Sequence, residues 1–149
     1  MPTRLMIVDS DAATRLRLIA ALSADYELVV PAPGDDPLRM ARSSRPDIVL
    51  VAAGGGARGV ALRLCRVLKT DVRTVPAIGL YARRGEEFPS AAAAATAMVD
   101  GFCLHEGDAA ALLSMARALG RGERPLPTPW PDASTSSLRR VLNRLLGPR

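Results

Sequence analysis

Arg45-Pro46-Asp47-Ile48-Val49-Leu50-Val51-Ala52 is the stretch that decides the architecture. Residues 47–52 read as a strand, and the unbroken apolar run lacks the alternation of a sheet with one wet face. Such a strand is covered by helices on both sides, as in a parallel sheet. Downstream, Gly54-Gly55-Gly56 forms a loop, and residues 60–68 carry Leu62, Cys65 and Leu68 toward a core at helical spacing. Upstream, Asp36-Pro37 starts a helix that runs to about Ser43, because proline suits the first helical position and aspartate caps it.

The alternation continues in both directions. Residues 4–8 read as a first strand, and Asp11 caps a helix that turns Leu16, Ile19, Ala20 and Leu22-Ser23 inward. Residues 27–31 make a short second strand and residues 75–80 a fourth. A helix over 89–96 contains five consecutive alanines, Ala91 to Ala95. A fifth strand over 101–104 precedes a helix over 108–119 with Leu112, Met115 and Leu119 on one side. Five strand–helix units predict an α/β fold, a (βα)5 doubly wound parallel five-stranded sheet. Residues 1–120 are the expected body. Residues 121–133 hold four prolines and read as a linker, and 134–149 as a short basic amphipathic helix.

Composition narrows the function. The chain has 149 residues and is 48% hydrophobic, which fits a folded domain and not a disordered one. No apolar run approaches the ~18 residues of a membrane span. The amino terminus shows no signal-peptide pattern, so a cytoplasmic protein is expected. Cys65 and Cys103 lack metal-ligand spacing and read as reduced, buried thiols. Of the net charge of +5, residues 1–120 account for only +1, so the body gives no support for nucleic-acid binding. After residue 133 there is room for one helix and not for a groove-reading unit.

Leu5-Met6-Ile7-Val8-Asp9-Ser10-Asp11 resembles the first strand and acidic turn of CheY-like response-regulator receiver domains. Residues 45–51 resemble the strand leading to their phospho-acceptor. Val99-Asp100-Gly101-Phe102-Cys103-Leu104-His105 and the segment from Glu106 to Glu123 are similar to the last strand and helix of NarL/FixJ-type receivers. The resemblance covers residues 4–123. It implies a carboxylate that accepts a phosphoryl group, clustered acids for Mg²⁺, a lysine, and a small hydroxyl residue on the fourth strand. Here the acceptor position is Ala52, and a methyl group cannot be phosphorylated. Asp9 keeps one acidic position, Ser10 replaces its partner, and Asp11 lies one residue beyond. Tyr81 stands at the hydroxyl position and His105 at the lysine position. The resemblance with these departures implies an atypical receiver that is not an enzyme, needs no metal or cofactor, and works in bacterial signalling or transcriptional regulation. It is expected to act through a protein partner or a homodimer.

An alternative reading is a receiver that senses a small molecule or nucleotide at the vacated acidic pocket or at a glycine loop. Gly54, Gly56 and Gly59 match G-x-G-x-x-G between a strand and a helix, the context in which backbone amides approach a pyrophosphate. Against it, the loop follows the third strand and not the first, no acid ends the next strand, and no second nucleotide-binding half follows. The tail offers another surface. Leu138, Val141, Leu142, Leu145 and Leu146 form one apolar helical stripe, expected to dock on the body, a second copy or another protein. Trp130 either anchors the linker or lies exposed.

Overall fold

The computed structural model describes residues 2–71, 75–131 and 145–146. Strands β1 (Arg4–Val8), β2 (Glu27–Val29), β3 (Ile48–Ala52), β4 (Ala77–Arg83) and β5 (Gly101–His105) form one parallel sheet, ordered β2-β1-β3-β4-β5. Helices α1 (Ala12–Leu22), α2 (Pro37–Ser44), α3 (Arg58–Asp71), α4 (Ala91–Thr96) and α5 (Ala110–Gly120) alternate with the strands. The α/β architecture read from the sequence is the one observed.

Two cores follow from the doubly wound order. Leu18 and Leu22 of α1 and Leu112, Met115 and Leu119 of α5 pack on Leu5, Ile7, Ile48 and Leu50. On the other face, Ala41 of α2, Cys65 and Leu68 of α3 and Ala94 of α4 pack on Met6, Val49, Val51, Ile78 and Leu80. Every residue of β3 from Ile48 to Val51 is buried, as a strand covered on both sides requires.

Local differences from the sequence reading have physical causes. Leu16 is 64% exposed, and Ala20 and Ser23 are exposed as well. The inward row of α1 runs instead through Arg15, Leu18, Ile19 and Leu22, because Arg15 extends along the helix to donate from Nη1 to the Asp9 carbonyl at 2.9 Å. A charged residue thus occupies the first turn of the inward face and disguises its phase. β4 starts later and ends later than expected: Val75 is 54% exposed, while Tyr81 and Ala82 are buried strand residues. Register with the neighbours explains the extension, since Tyr81 pairs with Ala52 and Arg83 with His105. α3 begins at Arg58, and Ala61 is buried where Leu62 is only partly so. Asp11, Asp36 and Ser90 cap α1, α2 and α4 through side-chain oxygens.

Residues 121–131 form no helix or strand, yet they pack on the body. Phe102 donates its amide to the Pro125 carbonyl at 3.0 Å, across the outer edge of β5. The Trp130 indole stacks on Phe102 with centroids 4.6 Å apart, and its Nε1 donates to the Pro89 carbonyl at 3.1 Å. Arg124 reaches the Val99 carbonyl and the Asp100 carboxylate. A loop covering an edge strand satisfies an amide that would otherwise face another chain. Leu138, Val141 and Leu142 lie outside the described residues. Leu145 and Leu146 are helical and exposed. Among the described residues, no helix is long and apolar enough to cross a membrane.

Candidate functional site

The carboxyl ends of β1, β3, β4 and β5 meet at one edge of the sheet. They bring Asp9, Ser10, Asp11, Ala52, Tyr81 and His105 together around a cavity of about 300 Å³. Positions 72 residues apart in sequence thus touch, because parallel strands place their C-terminal residues side by side.

Tyr81 closes the centre of this cavity. Its ring is 1% exposed, and its hydroxyl donates to Asp9 Oδ2 at 2.7 Å. The other Asp9 oxygen accepts the Asp11 amide at 2.8 Å. Burial pushes the Asp9 carboxyl above its ordinary value, opposed by the Tyr81 and Asp11 hydrogen bonds. Burial and then the facing Asp9 charge push the Tyr81 phenol far above its ordinary range, so it remains a donor. Asp11 is used elsewhere: its Oδ2 accepts the Thr14 amide at 3.2 Å and the Thr14 hydroxyl at 2.5 Å. These hydrogen bonds hold its carboxyl below the usual range.

His105 sits 5.7 Å from Tyr81, ring edge to ring face. Its Nδ1 accepts the Gly107 amide at 3.1 Å, which leaves the ring proton on Nε2. Burial holds its pKa below the ordinary 6.5, with Glu86 opposing that shift. A neutral imidazole therefore stands at the position that the sequence resemblance assigns to a lysine.

Glu86 had no signal in the sequence. Its carboxylate accepts the Arg83 amide at 2.7 Å and lies against Gly54, where a Cβ would sit only 2.6 Å from Glu86 Oε1. A side chain at position 54 would require the end of Glu86 to move aside. Gly55, at φ +57°, donates its amide to the Glu87 carbonyl at 2.7 Å, and Ala57 donates to Gly54. The G-x-G-x-x-G loop accordingly presents a phosphate with a nearby carboxylate and a spent Gly55 amide. Gly56 and Gly59 have open space where a side chain would be.

Mg²⁺, which this kind of site implies in receivers, demands several free oxygen ligands in octahedral order. The residues do not fit that demand. Position 52 offers a methyl, Asp9 is held by Tyr81, and Asp11 caps α1. Among the described residues, no group of three histidine, cysteine, aspartate or glutamate side chains is placed to hold a metal ion. Burial pushes both Cys65 and Cys103 up to about 12, so both are protonated at neutral pH.

Comparison with solved structures identifies the fold. A response regulator protein from Burkholderia multivorans is 26% identical, covers 80% of this chain and 96% of its own, and has a TM-score of 0.59. The N-terminal domain of the nisin resistance regulator NsrR, a lantibiotic response regulator, is 18% identical over 80% of this chain and 98% of its own, with a TM-score of 0.67. A response regulator from Thermotoga maritima is 14% identical over 80% and 98%, with a TM-score of 0.61. No family model matches the sequence, and no curated protein matches it. The fold is that of the response-regulator receiver (CheY-like) domain.

Proposed function

We propose that this chain is a signalling module of receiver fold that regulates through protein contacts and accepts no phosphoryl group. The observation that carries this reading is the Tyr81 hydroxyl bound to Asp9 beside the methyl of Ala52. The acceptor is absent, and the one acidic position retained from the receiver pattern is occupied by an internal donor. Phe102 supports the same reading. It holds the aromatic position that, by the resemblance, moves on phosphorylation, and it is packed between Phe88 and Trp130. Such packing favours one arrangement of the β5 edge. The surfaces offered to a partner or a second copy are α4, α5 and the outer side of residues 121–131.

Incubation with radiolabelled acetyl phosphate and Mg²⁺ tests the phosphorylation claim. No retained label is expected on this chain, nor on Ala52→Asp, because restoring one carboxylate restores neither the metal ligands nor the lysine. Stable label that disappears on Asp9→Asn overturns the reading. Light scattering on the unmodified chain, followed by cross-linking to α4 and α5, tests the contact claim; a monomer that captures no protein through these helices refutes it.

A further inference from the structure

A second cavity, of about 360 Å³, lies beside the acidic one and has a different chemistry. It opens between α2 and α3 over the ends of β1 and β3. In the order β2-β1-β3-β4-β5 the winding reverses between β1 and β3, and the crevice outside the strand ends at such a reversal is where doubly wound sheets bind ligands. Val8, Val51 and Ala52 form its floor, and Ala61, Leu64 and Val67 of α3 its wall. Val60 stands at the mouth, 69% exposed. The volume falls within the roughly 300–1,000 Å³ of small-molecule sites, whose walls are mostly apolar with few polar groups.

The polar groups at the rim decide what fits. Asp9 is held by Tyr81 and the Asp11 amide, and the Asp36 carboxylate accepts the Leu38 amide as the cap of α2. Arg63 also lines the cavity, and among the described residues it has no hydrogen-bond or ion-pair partner. A guanidinium with no partner among the described residues, beside an apolar hollow, matches a molecule with an apolar body and one carboxylate. Ala52 contributes twice: the methyl that removes the phospho-acceptor also leaves the cavity floor uncharged.

We propose that this cavity binds a small amphipathic carboxylate, its chain or ring seated on Val51, Ala61 and Leu64 and its carboxylate on Arg63. This goes beyond the protein-contact reading and does not depend on it. The test is amide-resolved NMR of the full chain titrated with octanoate below micelle-forming concentrations, with octylammonium and octanol in parallel. Saturable amide shifts centred on Asp36, Leu38 and residues 60–67 are expected, with octanoate about tenfold tighter than octylammonium. Arg63→Ala, on an exposed side chain, should bring octanoate to the level of octanol. Ala52→Met should weaken both by filling the floor. Absent or non-saturating shifts, shifts centred elsewhere, or equal affinity for ammonium and carboxylate overturn the proposal. If Ala52→Met fails to fold, the Arg63→Ala comparison still decides.

Discussion

The Tyr81 hydroxyl and the His105 ring line the pocket around Asp9, and each carries a measurable consequence. Tyr81→Phe removes the donor to Asp9 and leaves a partly buried carboxylate short of one partner. A loss of about 1–2 kcal/mol is expected at neutral pH, read from urea unfolding; an unchanged midpoint would show that water replaces the phenol without cost. His105 is the one histidine of the chain, so its titration is isolated. Burial lowers its folded pKa below 6.5, so the folded chain takes up this proton at lower pH than the unfolded chain. Its stability contribution is complete above the unfolded value and is lost as pH falls through the folded one. His105→Gln should flatten the drop in stability as pH falls below the ordinary histidine value of 6.5. Asp9 acts with the opposite sign, because its raised folded pKa gives stability that is lost as pH rises from the ordinary carboxylate value. Ala52, Tyr81 and His105 were legible in the sequence because each is reached by counting along a strand. The Tyr81–Asp9 bond was not legible, since it depends on how far a phenol reaches across two strands.

Among the elements, β4 and α5 illustrate what periodicity conveys and what it hides. Leu112, Met115 and Leu119 recur at helical spacing, and all three are buried as that spacing predicts. Their partner on the sheet is Gly79, a strand residue with no side chain to announce it. A Cβ there would stand 2.7 Å from Met115 Cε and 3.0 Å from Leu119 Cδ1. Gly79→Val must displace the Met115 and Leu119 side-chain ends, and a loss of about 1–3 kcal/mol is expected in denaturant unfolding. A variant as stable as the parent would mean that the Met115 side chain swings aside freely. In α1 the run Leu16 to Leu22 permits two helical phases; the one observed buries Leu18 and Leu22 in the core and lets Arg15 reach the Asp9 carbonyl. Helix α4 buries only Ala94 among its six residues, so most of its alanines serve helix propensity and not the core.

Over the whole molecule, residues 121–131 are part of the body. Trp130 is the chain's one tryptophan, stacked on Phe102 and hydrogen-bonded to Pro89. Trp130→Ala is expected to cost about 2 kcal/mol through lost stacking and one hydrogen bond. In the parent chain, Phe102→Ala should red-shift the tryptophan emission as the indole meets water; an unshifted emission would mean that the segment is held without the stack. Arg124, Asp100, Lys69 and the Ile78 amide join at the amino-terminal end of β5, so residues 121–131 are tied to the start of that strand as well as to Pro89.

The sequence alone determined the order of strands and helices and the doubly wound class, and it put Ala52 at the end of the third strand. Hydrophobic period and capping residues are local, and they repeat five times in this chain. Only the tertiary structure decided that Tyr81 occupies Asp9, that Glu86 lies against Gly54, that Trp130 covers Phe102, and that a second, apolar cavity adjoins the first. These features join residues far apart in the chain or in loops without periodicity. Their partners are set by the packing of the sheet and not by spacing along the backbone.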